Sequence, residues 1–339
     1  MPDNADGNVQ PAGVEAEPAT RARGAEQPRA DGLSWALQFR TADGQQDWEW
    51  QHFDLVHAQA RLTIEARTEL PAFAQQILLG TDESPRIVTD GSVVAGVLPA
   101  YARTGDAQAF ELTAWHFAML PHCLITGRRR AARTLVNLWE AVKSGLAPDG
   151  PASLIDLCLA EFAREMRARL AVLAANLDPV EDMLIEQRGA GQLNDLGGRL
   201  GVIRREATRL KRVLVPLVRA LDEDEEELPA WTGFSEHGTG HRMMHGALDD
   251  IAALSDRSRS LQDELTTRLA EETNRRLYVV SVVTTLLLPA TFVTGYFGMN
   301  TGGLPWGGDA APLGTLYATL LCAVAVLGTL LLLRWKRLL

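Results

Sequence analysis

The chain has 339 residues and a formal net charge of −10, with 43 Asp and Glu against 33 Lys and Arg. This acidic excess disfavours a nucleic-acid partner and favours a cationic one. Cys123, Cys158 and Cys322 are far apart and form no Cys-x-x-Cys pair, which excludes a disulfide framework and a zinc finger. No P-loop, nucleophile elbow or metalloprotease pattern occurs, so the sequence predicts neither an enzyme nor a bound cofactor.

The first segment, residues 1–30, is rich in Ala, Pro, Gly and charged residues and has no apolar stretch. Such a composition forms no hydrophobic core and lacks the apolar region of a signal peptide. It predicts a disordered tail, and it places the bulk of the chain in the cytosol.

Residues 31–150 contain short alternating apolar segments, notably 87–99 and 112–126, separated by Asp-Gly and Thr-Gly turn signals. They predict a cytosolic α/β domain with a small sheet and flanking helices. A basic cluster lies within it, at Arg128, Arg129, Arg130 and Arg133. A solvated turn or a salt-bridged interface explains that cluster better than a ligand site does.

Residues 151–238 change to helical periodicity and predict long antiparallel helices. An uninterrupted acidic run, residues 222–227, followed by Pro229, predicts an acidic loop at the tip of a helix hairpin. Such a run is either a solvated stretch or an attractor for divalent cations at a pore mouth.

A further helix begins near residue 239 and meets no proline until Pro289, so a stalk over 239–276 can continue directly into a membrane. Its length would be on the order of 85 Å at 1.5 Å per residue. Helices this long usually pack in bundles, which predicts an oligomer. At the start of the stalk, His237, His241 and His245 are spaced at i, i+4 and i+8. They are either a cytosolic zinc site or an ordinary solvated stretch, and Gly238 and Gly240 weaken the helix there.

Two uncharged apolar runs, residues 277–297 and 313–333, are each long enough to span a bilayer. Basic residues precede the first run and fill the tail at 334–339, whereas the connecting loop at 298–312 has a single charge, Asp309. The positive-inside rule therefore puts both termini in the cytoplasm.

The first span carries a stripe of small and hydroxyl residues interrupted by two leucines. The stripe comprises Leu277, Ser281, Thr284, Leu288, Thr291 and Gly295, and it continues back along the stalk through Asp263, Thr267 and Asn274. Two spans cannot enclose an aqueous path, so several copies would each contribute one helix to a pore lining. The two leucines would then be hydrophobic constrictions. Tight helix packing is the alternative explanation of such a stripe.

The first span ends on Tyr296 and Phe297, followed by Gly298-Met299-Asn300, and a Pro-x-Thr-Phe-like segment precedes it at Pro289, Thr291 and Phe292. In this position the tripeptide resembles the CorA metal-ion transporter superfamily. The resemblance implies an α+β membrane protein, with a cytosolic α/β domain, a helical stalk and two transmembrane helices per chain. It further implies a pentameric funnel in a bacterial-type inner membrane. Gly298, Met299 and Asn300 would form its outer selectivity filter.

The loop that follows, residues 301–306, resembles the zinc-transporting ZntB branch, because it lacks the acidic residue and the Met-Pro typical of the Mg²⁺-transporting branch. The resemblance alone implies Zn²⁺, with a CorA-type Mg²⁺, Co²⁺ or Ni²⁺ channel as the alternative. Zinc held directly prefers Cys and His, and the proposed lining has neither. Any proton coupling would have to use Asp263, Glu271, Glu272 or Asp309.

Overall fold

The structure is a computed structural model, and it describes residues 32–40, 47–103, 111–185, 190–223, 228–232, 238–299 and 314–336. Contacts group these residues into two units. The first unit lies within residues 1–182 and 198–259, and the second within residues 183–197 and 260–339. The disordered tail predicted at residues 1–30 lies outside the described residues.

The first unit contains a sheet of six strands among the described residues. The strands are β1 (Leu33–Arg40), β2 (Asp47–Asp54), β3 (Arg86–Thr89), β4 (Val94–Tyr101), β5 (Leu112–Leu120) and β6 (Cys123–Arg128). Their order is β1-β2-β6-β5-β4-β3. Neighbouring strands are antiparallel except β2 and β6, which run parallel with Glu49 opposite Cys123.

Helices pack against the sheet, chiefly at β4 and β5. They are α1 (Ala58–Glu65), α2 (Ala72–Leu79), α3 (Arg133–Lys143) and α4 (Pro151–Ala175), and α2, α3 and α4 contact β4. Every residue of β4 is buried, as is expected of a strand covered on both faces. The predicted α/β domain is thus present in the first unit.

Thr126 is the centre of a buried polar network in the sheet. Its hydroxyl donates to the carbonyl of Gln51 (3.2 Å) and accepts from Nε1 of Trp50 (2.9 Å). Nε of Arg128 donates to Nε2 of His52 (3.1 Å), so Nδ1 of His52 carries the ring proton and donates to the Thr126 hydroxyl (2.8 Å). Burial, and then the charge of Arg128, hold the pKa of His52 well below its usual value.

We expect Thr126→Val to lower the free energy of unfolding of the first unit by about 2–5 kcal/mol, because the buried ring nitrogens of Trp50 and His52 lose their partner. The measurement is a denaturant titration of the full chain in detergent, followed by tryptophan fluorescence. Thr208→Val is the control, since among the described residues that exposed hydroxyl bonds only to the carbonyl of Arg204 within its own helix (2.7 Å). Equal losses for the two variants would contradict the assignment.

The arginines of the predicted basic cluster form hydrogen bonds and ion pairs within the first unit. Arg129 donates to the carbonyl of Leu79 (2.7 Å), Arg130 pairs with Glu111 (2.8 Å), and Arg133 pairs with Glu165 of α4 (2.6 Å). The explanation as a salt-bridged interface therefore agrees with the structure.

The rest of the described chain is helical. The helices are α5 (Asp178–Ile185), α6 (Ala190–Glu223), α7 (Thr239–Phe297) and α8 (Gly314–Trp335), with a 3₁₀ turn at Ala230–Thr232. The 59 residues of α7 form one helix that continues through Pro289. Asp222, the first residue of the acidic run, lies in the last turn of α6 rather than in a loop, and α8 continues past the apolar run through Arg334 and Trp335.

Polar contacts attach α7 to the other helices of the first unit. Arg167 of α4 pairs with Asp250 (3.0 Å), and Arg257 pairs with Asp178 of α5 (2.9 Å). The N–H of Gly240 donates to Oδ1 of Asp156 in α4 (2.9 Å), and a Cβ at position 240 would collide with the Asp156 carbonyl oxygen. Gly240 is therefore required for close packing between α4 and α7, and it lies inside the first turn of α7.

Candidate ion pathway

Among the described residues, α7 and α8 are the two helices long and apolar enough to cross a membrane. No residue in the apolar window of α7 is buried, and in α8 only 6% are. The core helix of a soluble protein would be mostly buried. Apolar side chains such as Leu288 and Phe292, which are 67% and 75% exposed, need a lipid or protein environment that a single chain does not supply.

Within the second unit, α7 and α8 pack through one face each. On α7 the partly buried residues are Val282, Leu286, Pro289, Ala290, Val293 and Phe297. On α8 the covered residues include Ala318, Cys322, Ala325, Thr329 and Leu333. The Sγ of Cys322 lies 3.8 Å from the carbonyl oxygen of Ala290. The small residues on α8 allow this close approach.

The predicted polar stripe lies on the other side of α7. Leu277, Ser281, Thr284, Leu288, Thr291 and Gly295 are all exposed in the single chain. At about 100° per residue, the centre of this stripe lies about 170° from the centre of the face that packs on α8. Packing between α7 and α8 of one chain therefore does not account for the stripe.

The hydroxyl groups of the stripe are oriented by their own helix. Thr284 donates its proton to the carbonyl of Val280 (2.8 Å), and Thr291 donates to the carbonyl of Leu287 (2.9 Å). The lone pairs of both hydroxyl oxygens remain as acceptors. The water molecules around a cation direct their hydrogens outward, so such oxygens suit a hydrated cation.

The end of α7 has a tight backbone at the predicted filter. The N–H of Gly298 donates to the carbonyl of Thr294 (2.9 Å), and that of Met299 donates to the carbonyl of Tyr296 (3.4 Å). A Cβ at position 298 would lie 2.9 Å from the Thr294 carbonyl oxygen. Gly298 therefore permits this turn, and its substitution would displace the residues that follow. Asn300 and Asp309 lie outside the described residues.

The stalk residues Asp263, Thr267 and Asn274 are exposed, and the Thr267 hydroxyl donates to the Asp263 carbonyl (3.0 Å). Leu265, by contrast, is buried within the second unit. Nearer the apolar segment, Glu272 forms an i, i+4 pair with Arg276 (2.8 Å). The three stalk residues that continue the stripe are therefore exposed, up to the start of the span.

A cluster of potential metal ligands lies in the first unit, where α6 ends and α7 begins. Nε2 of His241 and of His245 lie 2.7 and 3.0 Å from Oδ1 of Asp222, and 3.1 Å from each other. Burial raises the pKa of Asp222, but the hydrogen bonds from the two histidines outweigh it and lower the pKa overall. The histidine pattern predicted two of these residues but not Asp222, and His237 lies outside the described residues.

A sheet domain, a long helix ending in an apolar segment and a second apolar helix are together typical of a membrane protein, with two candidate spans among the described residues. The profile of one family, described as "CorA-like Mg2+ transporter protein", matches residues 45–337. The chain belongs to this family, and it is a divalent cation transporter of the CorA type. The resemblance inferred from Gly298-Met299-Asn300 is thereby confirmed at the level of the family.

Individual proteins with known names or structures agree with this assignment. "Zinc transport protein ZntB" of Yersinia pseudotuberculosis serotype O:1b is 25% identical over 272 residues, covering 77% of this chain and 79% of that protein. The full-length CmaX structure has a TM-score of 0.66 at 22% identity, covering 87% and 89% of the two chains. The CorA magnesium transporter from Methanocaldococcus jannaschii has a TM-score of 0.62 at 17% identity, covering 85% and 90%. The two structures share the fold.

Proposed function

We propose that the protein carries Zn²⁺ across the bacterial inner membrane as a homopentamer, through a pore lined by the apolar part of α7. The observation that supports this most is the position of the polar stripe. It lies about 170° from the face that α8 covers, at about 100° per residue, and it is exposed along its whole length in the single chain. Copies of α7 brought together on this face would enclose a polar path.

The chemistry of the lining favours a hydrated ion. Residues 277–299 contain no Asp, Glu, His, Lys or Arg, so the path offers oxygen dipoles and no formal charge. Leu277 and Leu288 would form apolar rings that close the path by excluding water. At the outer end, Gly298, Met299 and Asn300 would form the filter, where a helix C-terminus contributes carbonyl oxygens and the negative end of its dipole.

Three parts of the proposal rest on different grounds. The pentamer follows from the resemblance to the CorA superfamily. The cytoplasmic position of both termini follows from basic residues such as Arg275, Arg276 and Arg334. The choice of Zn²⁺ is supported by relatives named as zinc transport proteins at about a quarter identity, and the Mg²⁺, Co²⁺ or Ni²⁺ channel remains the alternative.

The test is metal flux into vesicles that contain the purified protein and a metal-sensitive dye. We expect Zn²⁺ to pass faster than Mg²⁺, and protein-free vesicles give the background rate. Absence of metal-dependent flux would refute transport, and faster Mg²⁺ flux would support the alternative ion.

A parallel series with an imposed pH gradient tests proton coupling, and Asp263→Asn and Glu272→Gln then test the stalk carboxylates.

A further inference from the structure

We propose that Asp222, His241 and His245 form a transition-metal site in the first unit that binds Zn²⁺ through two imidazole nitrogens and one carboxylate oxygen. The site is separate from the proposed lining of the membrane path, which contains no histidine. It goes beyond the transport function and does not depend on which ion crosses the membrane.

The geometry of the three ligand atoms carries the proposal. They form a triangle with edges of 2.7, 3.0 and 3.1 Å. A zinc ion about 2.05 Å from each atom would lie about 1.1 Å above this triangle. Ideal tetrahedral coordination places ligand atoms about 3.3 Å apart, so the side chains need to separate by only about 0.2–0.6 Å. The fourth position would take water.

The hydrogen bonds of the cluster leave one contact that a metal ion would resolve. An ionised Asp222 carboxylate only accepts hydrogen bonds, so both imidazole Nε2 atoms must donate to it. Neither proton then lies between the two Nε2 atoms, which are 3.1 Å apart. A cation above the triangle would instead contact the lone pairs of all three atoms, with each imidazole carrying its proton on Nδ1.

The local fold holds the ligands in place. His241 and His245 are at i, i+4 on α7 and therefore share one face of the helix. Gly240, the neighbour of His241, is fixed by its hydrogen bond to Asp156 of α4 (2.9 Å). Asp222 comes from the last turn of α6, so the site would join two helices that are separate in the chain.

The ligand set and its surroundings indicate which ions could bind. Imidazole nitrogen favours Zn²⁺, Co²⁺ or Ni²⁺ over Mg²⁺, which prefers oxygen ligands alone. The side chains of His241, His245 and Asp222 are 14%, 46% and 44% exposed, so an ion has access from solvent. Five more acidic residues follow Asp222 in the sequence at 223–227, and their charge would concentrate cations nearby.

The test uses the metal-free full-length protein in detergent and Co²⁺ as the probe, because tetrahedral Co²⁺ absorbs visible light far more strongly than the octahedral hydrated ion. We expect one tetrahedral Co²⁺ per chain, which Zn²⁺ displaces and excess Mg²⁺ does not. His241→Ala, His245→Ala and Asp222→Asn should each raise the apparent Kd for Co²⁺ by more than about tenfold, since they remove a direct ligand.

Two controls separate the site from other effects. His122→Ala removes an exposed histidine in the turn between β5 and β6 and should leave Co²⁺ binding unchanged. Thr284→Val alters the proposed membrane path and should also retain the absorption band. A wild-type spectrum with only octahedral Co²⁺ would overturn the proposal without any variant. Equal affinity in wild type and His241→Ala would overturn it as well.

Discussion

A Gly298→Ala variant reconstituted into vesicles is expected to lower the initial rate of metal flux by at least about tenfold. The added Cβ would lie 2.9 Å from the carbonyl oxygen of Thr294, and the same carbonyl accepts the N–H of Gly298 (2.9 Å). Relieving this clash costs about 1–3 kcal/mol and shifts the backbone. The shift would act on Met299 and Asn300, which we propose as the rest of the filter.

Gly328→Ala in α8 is the matched control for this variant. It makes the same chemical change, and a Cβ there would meet nothing within 4 Å in the single chain. Its flux should remain at the wild-type rate. Asn300→Ala removes the proposed amide ligand and should lose flux as Gly298→Ala does. Undiminished flux in Asn300→Ala would refute the filter assignment.

The second large effect is expected for the double variant Thr284→Val and Thr291→Val. Valine has nearly the shape of threonine but no oxygen, so each subunit would lose two acceptors for the water molecules around the ion. Each lost hydrogen bond costs about 0.5–1.5 kcal/mol. Because these costs add over two positions in each of several subunits, we expect flux to decrease at least about tenfold.

Thr285→Val is the matched control for the threonine pair. The Thr285 hydroxyl also donates to a carbonyl of its own helix, that of Ser281 (2.8 Å). It is turned about 100° from Thr284, away from the centre of the stripe. Flux measured in the same vesicles should therefore stay near the wild-type rate. If Thr285→Val lowers flux as much as the double variant, the stripe does not line the path.

The metal site and the membrane path would select ions by different chemistry. The proposed path would offer hydroxyl and amide oxygens to an ion that keeps its water, and such ligands would discriminate weakly among divalent cations. The cluster of Asp222, His241 and His245 offers imidazole nitrogen directly, which discriminates strongly against Mg²⁺. Because α7 runs without interruption from Thr239 to Phe297, residues of both sites lie on one helix.

Features that depend on local sequence could be predicted from the sequence alone. The two apolar runs and the single helix through Pro289 follow from hydropathy and helical periodicity, because both properties are set by neighbouring residues. The polar stripe follows from steps of three and four residues. The position of Gly298-Met299-Asn300 after the first span was sufficient to indicate the family.

Which groups meet across distant parts of the chain depends on tertiary packing. Asp222 comes within 2.7 Å of His241, 19 positions further along the chain, and Thr126 contacts Trp50, 76 positions away. No periodicity encodes such pairs, because they depend on how whole helices and strands pack. The face of α7 that α8 covers also depends on this packing. The polar stripe of α7 follows from the order of residues along one helix, whereas its exposure in the single chain follows from the packing of α8 on the opposite face.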